Sequence, residues 1–164
     1  MTYFTTNQQY PLGIDLSVYN CSADGRRRPN FDLIAAHQPA VEFIAMRTGQ
    51  SWGYRDPAFP YYLAEAQCIG VCILPYHVVF PGESARRQMD SFLNILAGVD
   101  LQSVRLVLDM ELDHSQTRAK ITQTLGECLR ILQAETSRLP LVYSRASWVN
   151  EHLSVRDLPE LDWW

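Results

Sequence analysis

No apolar run in this 164-residue chain approaches the ~20 residues that a membrane helix needs, so no membrane insertion is expected. No Gly-x-Gly-x-x-Gly follows the first strand-like run and no phosphate loop occurs, which counts against nucleotide binding. Basic residues are in deficit. Lys and Arg number 14 against 18 Asp and Glu, for a net charge of −4, and nothing suggests a nucleic-acid partner. The one basic cluster, Arg26-Arg27-Arg28 beside Pro29, reads as a solvated loop or as a contact with an anionic polymer. Cysteines are few, at 21, 68, 72 and 128. Neither CxxC nor paired Cys/His spacing is present, which argues against a zinc site and for buried free thiols in a reducing compartment. Residues 1–9 lack a basic segment followed by an apolar one, so they do not read as a signal peptide. Synthesis in the cytoplasm is therefore expected, and no cofactor is called for.

What is present is a globular composition, 47% hydrophobic and 20% charged, at a length that supports one core. Residues 1–11 read as an extension and 12–164 as the domain. Apolar strand-like runs alternate with helical periods. The runs are Leu12 to Ser17, Val41 to Arg47, Val71 to Val79, Leu106 to Leu112 and Leu139 to Ser144, and Leu161 to Trp164 opens a sixth. The loop 20–25 follows the first. Helices are expected over Phe31 to Gln38, from Asp56-Pro57 to Cys68, from Ser84 to Ala97, from Ser115 to Thr136 and near Ser147 to Leu153. Capping residues and glycines mark their ends. Pro75 should distort its strand or end its pairing early. Repeated β-α alternation with near-continuous apolar strands implies an α/β fold with parallel strands covered by helices. An open doubly wound sheet and a closed β/α barrel both fit. The distribution of polar residues favours the TIM-like barrel, because Asp15, Arg47, Tyr76, His77, Asp109, Glu111 and Tyr143 fall at the C-terminal ends of successive strands, where barrel sites are built.

The most informative run is Leu106-Val107-Leu108-Asp109-Met110-Glu111-Leu112. Residues i and i+2 of a strand share a face, about 6.6 Å apart. Two acids on an otherwise apolar strand are costly unless solvated, paired or used, and glycosidic cleavage needs a close carboxylate pair.

Five segments together resemble the glycoside hydrolase family 25 lysozymes, the Chalaropsis-type muramidases. Gly13-Ile14-Asp15-Leu16-Ser17 is similar to that family's opening strand. Phe43 to Gly49 followed by Asp56-Pro57-x-Phe59, the stretch from Ala64 through Gly70 to Tyr76-His77, the Asp109-Met110-Glu111 signature, and Leu141-Val142-Tyr143-Ser144 follow in register. The chain departs at Gln50, where many members carry Glu, and at Pro75, where a small residue is usual. Family domains continue to a last strand bearing another acid. The resemblance therefore implies a barrel lacking its C-terminal strands, left open or completed by self-association at that edge.

The activity implied is cleavage of the β-1,4 bond between N-acetylmuramic acid and N-acetylglucosamine in bacterial peptidoglycan, on a cell wall reached after release. Glu111 is the expected proton donor, its pKa raised by burial and neighbouring acids. Asp109 is expected to stay ionised, stabilising charge or orienting a 2-acetamido group that attacks C1, and Asp15 is the third electrostatic group. Tyr76, Tyr143, Arg47 and His77 are expected to bind substrate. Trp148, Trp163 and Trp164 could line a groove, with packing favoured for Trp148. His37, His114 and His152 read as surface residues. Two rivals are a glycan-binding remnant and a metal-dependent hydrolase using His77.

Overall fold

The computed structural model describes residues 11–22 and 27–164. Residues 1–10 of the expected 1–11 extension, residues 23–25 of the 20–25 loop and Arg26 lie outside them. The described chain alternates β1 (Leu12–Leu16), α1 (Phe31–Ala35), β2 (Val41–Gln50), β3 (Tyr54–Arg55), α2 (Phe59–Ile69), β4 (Cys72–Val78), α3 (Ala85–Ile95), β5 (Val107–Asp109), α4 (Arg118–Thr136), β6 (Leu141–Tyr143) and α5 (Ala146–His152). The main strands are parallel in the order β1-β2-β4-β5-β6, and β3 returns antiparallel on β2. Asp162 to Trp164 run beside β6: Val142 and Trp163 form a parallel bridge, and Trp164 N donates to Val142 O at 3.0 Å. Among the described residues nothing joins that stretch to the free edge of β1. The fold is a β/α barrel wall that does not close.

Strand alternation builds two apolar layers. Ile14, Leu16, Ile44, Met46, Ile73, Leu108 and Val142 face the helices, where they meet Phe59, Tyr62, Met89, Phe92, Leu125 and Leu129. Phe43, Ala45, Leu74, Tyr76, Val78, Val107, Leu141 and Tyr143 form the concave inner layer. Gly13 is needed there because the Phe43 ring occupies the space a Cβ would fill. Burying both faces explains why the strands read as continuous apolar runs.

Several expectations shift in detail. Pro75 ends nothing, since β4 runs through it to Val78. The irregularity instead falls on β2, whose register slips between Arg47 and Gly49. The extra residue, Thr48, is tied down by its hydroxyl donating to Tyr76 O at 2.9 Å, as in a β-bulge. Helix α2 starts at Phe59, because one Asp56 oxygen accepts from Ala58 N while the other serves Arg47 and Val18. Helix α4 starts at Arg118, capped by Thr117, after His114 and Ser115 adopt left-handed backbone. All four cysteines are free, but Cys68 and Cys72 are exposed and only Cys128 is buried. Trp148 is buried, as expected of packing.

Candidate active site

Asp15, Tyr76, Asp109, Tyr143 and Trp164 line one cavity of about 100 Å³ at the C-terminal mouth of the sheet. Parity puts them there. Asp15, next to last in β1, lies on the face shared with Gly13, Tyr76 and Leu74 share a face of β4, and Asp109 follows Val107. Trp164 closes one side, its ring 5.0 Å from Tyr143 and 5.7 Å from Phe43.

Glu111 lies beyond the strand, since β5 ends at Asp109. The alternation nevertheless persists because the intervening backbone is held from β6. Met110 N donates to Tyr143 O at 3.0 Å, and Ser144 Oγ donates to Met110 O at 2.6 Å. Met110 is fully buried in the outer core, which leaves the acids on either side to face the mouth. Glu111 accepts from Arg145 Nε at 2.9 Å and its side chain is 27% exposed.

The electrostatics differ from one expectation. Asp109, not expected to carry a proton, is the acid whose carboxyl rises to about 7. Burial is the main cause, followed by the charges of Glu111 and Asp15, with Arg47 opposing. Its Oδ1 is buried without a hydrogen-bond partner. Asp15 is also raised by burial, held back by a hydrogen bond from Tyr76 and by Arg47. Tyr76 and Tyr143 are raised too, first by burial and then by the surrounding carboxylates. All three acids therefore interact across one mouth.

Arg47 sits behind this group. Its Nε donates to the buried Asp56 Oδ2 at 2.8 Å, its guanidinium lies 4.9 Å from the Tyr19 ring centre and 5.5 Å from Tyr54, and its Nη2 has no partner. Arg47 thus acts on Asp15 and Asp109 through its charge, and its direct ion pair is with Asp56.

His77 does not reach the mouth. It points to the opposite face of β4, has no exposure, and stacks on Phe92 with ring centres 5.1 Å apart. Its nitrogens meet Ser51 O at 2.5 Å and Thr48 Oγ1 at 3.3 Å. Burial holds its pKa down at about 4, so it serves packing as a neutral ring rather than touching substrate. The strand-end rule counted His77 with Tyr76, but adjacent residues face opposite ways. The same rule, extended to the residues just past β6, would have found Arg145. Asp56 was noted only as a helix cap. Among the described residues no three His, Cys, Asp or Glu side chains converge on a metal position, and no helix is long and apolar enough to cross a membrane.

An acid-lined mouth at the C-terminal end of a parallel β/α wall is the layout of a glycoside hydrolase barrel. The sequence profile of Glycosyl hydrolases family 25 matches residues 14–164, and the chain belongs to that family. Solved structures agree on the fold. A muramidase from Trichobolus zukalii superposes with a TM-score of 0.71 at 20% identity, covering 87% of this chain and 69% of that one. A family 25 glycosyl hydrolase from Bacillus anthracis gives 0.79 at 15%, covering 98% and 72%. The modular autolysin LytC from Streptococcus pneumoniae, in complex with a synthetic peptidoglycan ligand, gives 0.72 at 15%, covering 89% and 35%. A search of curated proteins finds no match.

Proposed function

We propose that this chain is a muramidase that cleaves the β-1,4 bond between N-acetylmuramic acid and N-acetylglucosamine in bacterial peptidoglycan. The observation that carries the reading is the meeting of Asp15, Asp109 and Glu111 at one mouth. Glu111, past the end of β5 with its side chain 27% exposed, protonates the leaving glycosidic oxygen. Asp109 lies deeper, and its unpartnered Oδ1 suits the N–H of the substrate's 2-acetamido group. That group's carbonyl oxygen attacks C1 as the glycosidic bond breaks, and water then opens the resulting ring with Glu111 acting as base. A direct attack by a carboxylate is the competing route, separated by whether a substrate lacking the N-acetyl group is still cut. Asp15 adds negative potential beside the developing cation. Tyr76 and Tyr143 offer rings and hydroxyls to the sugar, and Arg47 supplies positive charge behind the acids.

Clearing of purified peptidoglycan tests the activity, and new muramic acid reducing ends identify the bond cut. Glu111→Gln should abolish both, and undiminished clearing by that variant would overturn the assignment. The unclosed sheet supports a second reading, a module that holds glycan without cutting it, which the same assay separates. Self-association through the β6 side of the sheet is part of this proposal. Its support is that only Asp162 to Trp164 cover that edge among the described residues, and sedimentation analysis tests it.

A further inference from the structure

Tyr19 is 83% exposed, the most solvent-facing of the large apolar side chains described, yet its position is tightly specified. It lies on the 3-10 turn Val18–Asn20 that follows β1, four residues after Asp15. Asp56 fixes that turn and the ring's backing together. One carboxylate oxygen, Oδ2, accepts from Val18 N at 3.0 Å and from Arg47 Nε at 2.8 Å, and the Arg47 guanidinium then lies against one face of the Tyr19 ring. The turn is closed further by Ser17 N donating to Asn20 Oδ1 at 2.8 Å. A buried ion pair is thus organised around a ring that contributes little to the core. Loose surface aromatics have no such support. A ring braced on one face and open on the other suits the apolar face of a sugar.

Resting on the muramidase reading, we propose that Tyr19 is the stacking platform of a distal glycan subsite. It would extend the binding groove from the acid mouth past β1, and would hold a sugar of the same strand beyond the pair flanking the cleaved bond. Arg47 links the two places, since its charge acts on Asp15 and Asp109 while its guanidinium supports Tyr19. The ligand class is an extended amino-sugar polymer. Recognition is of ring faces rather than of substituents.

The test uses soluble peptidoglycan glycan strands sorted by length. Tyr19→Ala should lower the long-to-short ratio of kcat/KM by about threefold to tenfold, the scale of one aromatic stacking contact. Tyr19→Trp should restore it. Thermal stability should not change, because the ring buries so little. An unchanged ratio, or a loss equal on long and short strands, overturns the platform. If the wild-type chain cuts no strand, the muramidase reading falls by itself. Equilibrium retention of long strands then decides: weaker retention by Tyr19→Ala upholds the platform and equal retention overturns it.

Discussion

Replacing Asp109 with Asn should make the protein more stable and less active, with a stability gain that depends on pH. Its carboxyl rises from 3.8 to about 7 in the fold. A raised folded value means that the native state binds the proton more tightly than the unfolded chain. The stabilisation is fully present below pH 3.8 and is lost as pH rises through 7. At about 1.4 kcal/mol per pKa unit the full cost of the buried charge at pH 8 is about 4 kcal/mol. The carboxyl borders an open mouth, so roughly half of that, about 2 kcal/mol, is the working expectation. Asn keeps the shape and cannot ionise. In a chain of this size about 2 kcal/mol corresponds to roughly 4–8 °C in Tm. Thermal unfolding at pH 5 and pH 8 measures it. The variant should exceed the wild type at both pH values, by less than half as much at pH 5 as at pH 8, while peptidoglycan clearing falls. An equal gain at both pH values, or none at pH 8, would refute the burial argument.

His77 should give the opposite slope. Its depressed value of about 4 means that its contribution is present above pH 6.5 and is lost as pH falls toward 4. His77→Phe should flatten that acid limb in a pH series of denaturant midpoints. Asp56→Ala strands the Arg47 guanidinium and should cost about 3–5 kcal/mol in chemical denaturation, the usual penalty for breaking a buried pair. Leu129→Ala, in the fully buried face of α4, should cost about 2–5 kcal/mol by the same measurement. Arg145→Ala should alter the pH profile of kcat through Glu111 while leaving Tm within about 1 °C, because an exposed pair contributes little stability.

Much of the wall was legible because parallel strands buried on both faces leave a strong apolar signature. Helix ends were readable where a side chain caps them, as at Ser84 and Asn30, and where Gly70 turns left-handed. They were misplaced where a polar residue served something distant. Asp56 gives one oxygen to the local Ala58 amide but the other to Arg47 and Val18, contacts 9 and 38 residues away. The acids were found because alternation survives the end of β5. The raised carboxyl of Asp109 was not anticipated, because depth below the mouth has no counterpart in spacing. His77 was misjudged for a plainer reason: the end of a strand points two ways.

The backbone latch at Met110 gives the site a built-in reporter. Its amide bonds to a carbonyl of β6, a strand of only three residues. Any excursion that peels β6 away frees this amide to exchange with solvent and, in the same event, releases the segment carrying both acids. The exchange lifetime of this single proton therefore clocks how often the two carboxylates lose their alignment. Comparing it with the lifetimes of amides in α4 would tell whether the mouth fails by itself or only when the whole domain unfolds.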